Sequence, residues 1–481
     1  MEDFLESVSG NLATYVLVPM LAIVGILFTI RMKGMQFRTM GTMLKVILKS
    51  RTGSEGGISS FQAFTISLAS RVGTGNIAGV AIALAVGGPG AIFWMWVMAL
   101  IGMATAFVEA TLAQLYKQPH HDGTFRGGPA YYIQRGLGNR AFGVLFACLL
   151  IFTFGLAFNM VQANTIASVL ESGHGVSPVV TAVVLAALTG VIIFGGLRSI
   201  ARVTEIMAPL MALIYFLLAV VVVLTSLPAV PGVIADIFKG AFGLEQALAG
   251  TGGGMLAALM NGVQRGMFSN EAGMGSAPNA AATATVRHPV QQGLIQSAGV
   301  FVDTIIVCTA TATMILLAGP AVYTPGVTTR AEAGAALTQN AIAAELGGWT
   351  IPLMTFLVFV FAFSSVLGNT SYAEINVDFL RGGRVGDITM RCVVVVAVIT
   401  GALVSLTIVW TVADIAMTAM AVTNLVALLL LGKYVVALLA NFEQQPSAVD
   451  ATFDVDDLTE RPPGVLEEVW GDKRANPVAR D

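Results

Sequence analysis

Two short stretches of this chain carry charge, glycine and small polar residues in the same order. The first reads Arg71-Val72-Gly73-Thr74-Gly75-Asn76 and the second Glu271-Ala272-Gly273-Met274-Gly275-Ser276, so each is a charged residue followed by Gly-x-Gly. Each glycine weakens a helix by about 1 kcal/mol relative to alanine. Asn76 in one copy and Pro278-Asn279 in the other weaken it further. A backbone that leaves the helical path there frees N–H groups, which suit a carboxylate, and C=O groups, which suit a cation. A third stretch, Ser364-Ser365, offers two neutral hydroxyls. Beside a turn of free carbonyls they make an oxygen-only shell for a small hard cation of single charge. Serine also bonds back to its own preceding helical turn, which is the plainer account of that pair.

The elements that must hold these groups are membrane helices. The 481 residues are 56% hydrophobic and 11% charged, against about a quarter charged in ordinary globular chains. Apolar runs long enough to cross about 30 Å of hydrocarbon recur along the chain. They predict eleven spans, at 12–31, 61–86, 89–116, 141–170, 178–196, 201–227, 254–281, 290–319, 349–372, 388–410 and 412–440, joined by four longer connections and followed by a polar, mobile tail. The serine pair falls about 22 Å into the ninth span at 1.5 Å per residue, near the depth of the glycine pairs. The glycine pairs lie in the second and seventh spans, five apart, so those helices run antiparallel. A lone Gly-x-Gly is explained by close helix packing. A matched pair at topologically equivalent positions predicts an inverted repeat of five plus five helices, each opening with a discontinuous helix, preceded by one extra helix.

The expected organisation is an extra helix and basic loop at 1–60, a first five-helix unit at 61–227, a second at 228–440 and an acidic tail at 441–481. Lysine and arginine in the loops segregate by side on this span count, with only Lys239 and Arg330 on the minority side. That places the N-terminus outside and the tail in the cytoplasm of a cell-membrane protein. Arg71, Glu109, Arg265, Glu271 and Asp303 fall inside spans, where an unpaired ion costs at least about 2.5 to 3.5 kcal/mol. Arg71 and Glu271 precede the breaks at the same offset. They either meet in a shared network across the pseudo-twofold axis or each pin their own unwound turn. A net charge of -3 gives a nucleic-acid partner no support. The three cysteines and four histidines lack metal-ligand spacing, and no nucleophile–base pair or phosphate loop appears, which disfavours an enzyme.

Over nearly its whole hydrophobic length the chain resembles the alanine or glycine:cation symporters, also called sodium:alanine symporters. The stretches that carry the resemblance are Gly73 to Gly79 (GTGNIAG), Gly87 to Trp96 (GGPGAIFWMW), Thr124 to Tyr132 (TFRGGPAYY) and Gly266 to Ala282 (GMFSNEAGMGSAPNAAA). The resemblance implies the five-plus-five leucine-transporter architecture and sodium-driven uptake of alanine or glycine by alternating access. It implies sodium ligands from Ala69 and Val72, with Ser364 and Ser365 completing the shell. It implies a substrate carboxylate near the amides of Thr74, Gly75 and Asn76, with Phe268, Ser269 and Gly273 as the opposite wall and Phe158 and Gln162 closing the pocket. Arg71 departs from the wider architecture, so a single sodium is the expectation; no organic cofactor is expected. Coupling to a proton through Glu109, Glu271 or Asp303 is the alternative, and a passive channel is a third reading.

Overall fold

The structure, a computed structural model, describes residues 2–50, 57–243, 253–330, 332–380 and 382–471. Arg51 and Arg381, two of the lysines and arginines on the majority side of the loop count, and the last ten residues of the tail lie outside them.

Among the described residues eight helices are long and apolar enough to cross a membrane: α1 (Ser7–Arg31), α5 (Gly90–Leu115), α7 (Arg140–His174), α9 (Gly196–Thr225), α13 (Pro289–Leu317), α15 (Thr350–Leu380), α16 (Arg384–Leu403) and the last long helix, α17 (Leu406–Glu443). A ninth apolar segment is a bent pair, α3 (Ser60–Arg71) and α4 (Gly75–Gly87), which meet at 46°. Two further apolar segments are the shorter α8 (Pro178–Ile193) and an interrupted one, α11 (Gly253–Asn270) followed by α12 (Ala277–Thr283). The longer connections are not bare loops. They hold α2 (Met40–Lys49), α6 (Pro129–Gly136), α10 (Val230–Ala241) and α14 (Ala335–Leu346), plus a small hairpin of β1 (Gln118–Pro119) and β2 (Phe125–Arg126). These helices are too short to register as spans, which is why a hydropathy reading passes over them.

Local chemistry explains the helix starts. Ser59 and Gln62 form a capping box ahead of α3, Asn139 caps α7, and proline opens α6, α8 and α13, where its missing N–H and fixed φ cost nothing. One predicted boundary shifts. The chain turns at Val404 and Ser405, so Trp410, read above as the end of the tenth span, belongs to the first turns of α17.

The helices pack in two groups. α5 lies against α11, α12 and α13, while α7 lies against α8, α15 and α16. Each group draws helices from both halves of the chain.

The tail is another difference. Instead of trailing away, residues 444–471 lie on the face that carries the hairpin, with Phe453, Val455 and Trp470 buried. His288 sits beneath them as the N-cap of α13. Its Nδ1 accepts from the Val290 amide at 3.1 Å, and its Nε2 meets Asn441 Oδ1 at 3.1 Å. Burial pulls its pKa down to about 4. A histidine kept neutral in the fold but titrating near 6.5 when unfolded contributes fully above pH 6.5, and the contribution is lost as pH falls toward 4. The protein is therefore expected to lose about 3 kcal/mol of stability over that interval. Thermal melts in detergent at pH 7 and pH 5 check this; a His288→Gln variant should lack the drop, and an equal drop in both proteins would rule His288 out.

Candidate functional site

The first break begins at Val72, whose ψ of 82° ends α3. It is short because Asn76 closes it: Asn76 Oδ1 accepts from the Gly73 amide at 2.9 Å. The Asn76 Nδ2 group donates to Asp303 Oδ1 at 2.7 Å and to Ser269 Oγ at 3.0 Å. Asp303, which is fully buried, also accepts from Ser269 and Thr304 hydroxyls at 2.6 and 2.9 Å. It lies in a π-helical stretch of α13, Phe301–Cys308, a local widening that often marks a functional site.

The serine pair of α15 comes to the same break. Ser365 Oγ donates to Ala69 O at 2.9 Å, and Ser364 Oγ reaches it at 3.4 Å. Ser364 and Ser365 also bond back to Phe361 O, at 2.9 and 3.0 Å, as serines in a helix do. Gly73 is needed for this approach, because a Cβ there would lie 2.1 Å from Ser365 Oγ. Gln162 Oε1 stands 3.4 Å from the Thr74 amide. The Thr74 hydroxyl is buried and has no partner among the described residues.

The second break is held open by its own backbone and by a carboxylate. Glu271 adopts φ +58°, rare for a residue with a Cβ, and Gly273 and Gly275 follow at +90° and +82°. Glu109 of α5 accepts from the Gly273 and Gly275 amides at 3.2 and 2.9 Å. Asn424 of α17 bonds Glu109 as well, and reaches Gly273 O at 3.0 Å. Removing the acceptor leaves two buried amides unmet, so Glu109→Ala is expected to cost about 3 kcal/mol. A melt of the purified protein tests this: the loss should be clear in Glu109→Ala and partly recovered in Glu109→Gln, and a parent-like melt in Glu109→Ala would contradict the assignment.

Glu271 itself accepts from Ser70 at 2.7 Å and from Ser276 at 2.6 Å. Because Ser70 precedes Arg71, this joins one break to the other. The Arg71 guanidinium donates to Gln296 O at 3.1 Å. Among the described contacts the Arg71 guanidinium and the Glu271 carboxylate share no hydrogen-bond partner: Arg71 reaches Gln296 O, and Glu271 is reached by Ser70 and Ser276.

The structure brings Ala69, Gly73, Ser364 and Ser365 together, and Thr74, Gly75, Asn76, Ser269, Phe268 and Gln162 around the same turn. Gly75 packs on Phe268 and Ser269. The Phe158 ring packs against that of Phe268, tilted by 38° with centroids 4.5 Å apart. Gly273 is not part of that wall: a Cβ on it would meet Leu21 and Leu425, and its amide is taken by Glu109. Sequence reasoning did not anticipate Trp410, whose ring lies 4.6 Å from Phe268, or Asp414, the buried ion-pair partner of Arg265. Arg330 also reaches Asp414, at 3.4 Å. The available signal was that an apolar span carrying a single carboxylate needs a cation nearby.

Two broken helices that bury polar groups against each other inside a helical membrane protein are the arrangement that secondary transporters build around a substrate. Residues 1–454 match the sodium:alanine symporter family, and the chain belongs to that family. It is 48% identical to the amino-acid carrier protein AlsT of Bacillus subtilis over 94% of both chains. It is 42% identical to the sodium/alanine symporter AgcS of Methanococcus maripaludis over 88% of this chain and 93% of that one. It is also 44% identical to the probable sodium/glutamine symporter GlnT of Bacillus subtilis over 93% of each. In fold it is similar to the crystal structure of MhsT in complex with L-phenylalanine, with a TM-score of 0.58 at 16% identity over 89% of this chain and 97% of that one. The protein is a secondary active transporter that couples amino-acid symport to sodium, with a leucine-transporter-like fold.

Proposed function

We propose that this chain takes up alanine or glycine with one sodium ion across the cell membrane, with its N-terminus outside and its basic loops and tail in the cytoplasm. The observation that carries the reading is the convergence of Ser364 and Ser365 on Ala69 O beside Gly73. Hydroxyl oxygens rotate, so the same atoms that now donate can turn their lone pairs to a cation, with Val72 O as the fourth ligand. The substrate carboxylate rests on the turn of Thr74, Gly75 and Asn76, and the Thr74 hydroxyl, unpartnered among the described residues, is a ready donor. Its ammonium group faces Ser269 and Gln162. The rings of Phe158, Phe268 and Trp410 cover the side chain, a closely packed wall that suits a small apolar group better than a longer amide.

In this reading the eleven apolar segments form an inverted repeat of five and five after α1. The helix packing favours motion of the α5–α11–α12–α13 group against the α7–α8–α15–α16 group, rather than of one repeat against the other. Sodium and substrate order the same turn, so each raises the affinity of the other by an equal factor. The three buried carboxylates Glu109, Glu271 and Asp303 share one neighbouring guanidinium, Arg71, which is what favours a proton as the second reading.

The test is uptake into proteoliposomes. Labelled alanine should accumulate on an inward sodium gradient and be displaced by glycine more readily than by glutamine. Undiminished uptake on a pH gradient in sodium-free buffer would replace sodium by a proton, and displacement chiefly by glutamine would overturn the substrate.

A further inference from the structure

After α17 the chain turns back across the face that carries the hairpin. Gln291 of α13 donates to Ala448 O and Val449 O at 3.2 and 2.9 Å. The Phe453 amide donates to Arg287 O at 3.0 Å, and its ring lies 5.3 Å from that of His288. A last short helix, α18 (Glu467–Trp470), seats Trp470, only 2% exposed, with its indole N–H donating to Gln114 O at the end of α5, 3.0 Å away. Lys117 stands between: its Nζ is 5.0 Å from the Trp470 ring and 4.1 Å from the Phe125 ring, and donates to Ala284 O at 2.8 Å.

What these contacts grip matters. Ala284 ends the inner half of the second broken helix and pairs with Ile58, while the Thr285 amide donates to Ile58 O at 3.0 Å, just ahead of α3. The roots of both broken helices therefore meet under the tail. Farther along, Gly464 packs on the backbone of Arg135 in α6, which lies against α7, and Lys433 of α17 pairs with Glu460. The segment thus runs from the α5–α13 group to the α6–α7 side. If a carrier of this kind opens on this face by parting those two sides, the segment must release one of its two anchorages, Trp470 at Gln114 O or Gly464 at the Arg135 backbone.

We propose that residues 444–471 are a strap that holds this mouth closed, with Lys117 as the positioning residue that fastens Trp470 to the root of the second broken helix. The strap slows release of substrate on this side and sets how long the carrier stays shut. Its role in transport rests on the symport reading above, whereas its hold on the mouth does not.

The test separates the two. In protein with Cys148 and Cys392 changed to alanine, Ser67→Cys places a thiol on the inner half of α3, where Ser67 is fully buried and bonded to Gln296. Nanodiscs expose both faces, so labelling by a bulky maleimide does not depend on which face is cytoplasmic. The same protein without Ser67→Cys gives the background. Trp470→Ala is expected to raise the Ser67→Cys labelling rate about tenfold, the size of one lost buried hydrogen bond and its ring contact. A protease site inserted after the exposed Glu460 allows the strap to be cut once the protein has folded, and cutting should do the same. Unchanged labelling after both the substitution and the cut overturns the strap. Faster labelling without sodium-driven alanine uptake in proteoliposomes keeps the strap and removes the symport reading.

Discussion

Replacing Asn76 by alanine is expected to lower sodium-driven uptake at least about 100-fold with the protein still folded. The side-chain oxygen accepts from the Gly73 amide at 2.9 Å, and its two N–H groups are shared among Asp303 Oδ1 at 2.7 Å, Ser269 Oγ at 3.0 Å, Asp303 O at 3.1 Å and Cys308 Sγ at 3.3 Å. Each buried group left unmet costs about 1 to 3 kcal/mol, and two of them suffice for a factor of 100. The rest of the break is held from elsewhere, by Thr311 donating to Asn76 O at 2.6 Å, so the loss falls on the shape of the turn more than on the fold. Asn76→Asp should not rescue, since it puts a second carboxylate beside Asp303. Initial rates normalised to protein in the membrane decide the matter, and Asn76→Ala transport within threefold of the parent would remove Asn76 from the site.

Gly73→Ala is expected to raise the sodium concentration for half-maximal uptake more than tenfold. The added Cβ would stand 2.1 Å from Ser365 Oγ and 3.2 Å from Ser365 Cβ. Rotating the hydroxyl relieves only the first contact, so the α3–α15 approach must widen, and an oxygen shell for a small ion does not survive a displacement of that order. Two comparisons isolate the cause. Gly79→Ala, on the same bent segment, meets Trp410 only at 3.8 Å and should behave as the parent does. Adding Ser365→Gly to Gly73→Ala removes the clash together with the hydroxyl, and should restore thermal stability without restoring sodium affinity. A sodium requirement unchanged within twofold in Gly73→Ala would mean that the ion does not bind between these helices.

Much of the architecture could be read from the chain because the bilayer imposes it locally. A run of apolar residues must be helical to satisfy its own backbone, and Gly-x-Gly beside Asn76 or Pro278 interrupts it wherever it occurs. The bend between Arg71 and Gly75 and the break between Asn270 and Ala277 are such local consequences. So is the place of Ser364 and Ser365 midway along α15, which follows from helical spacing alone. The membrane class, the helical fold and the sodium-coupled transport of an amino acid were accessible in the same way, the last through the stretches shared with the symporter family.

Other features had no local mark. Glu109 lies 164 residues from the Gly273 amide it holds, Asp414 149 residues from Arg265, and Trp470 356 residues from Gln114. Nothing in the neighbourhood of any of these residues distinguishes its partner from other carboxylates, rings or carbonyls. Gly273 shows the same limit from the other side: its spacing relates it to Gly73, yet packing turns its Cα toward Leu21 and Leu425. The sequence by itself determined where helices run and where they fail, because those depend on residues a few positions apart. Only the tertiary structure decided what the broken turns face, and that residues 444–471 are packed rather than loose, because those pairings come from burying complementary groups that the chain brings together from far apart.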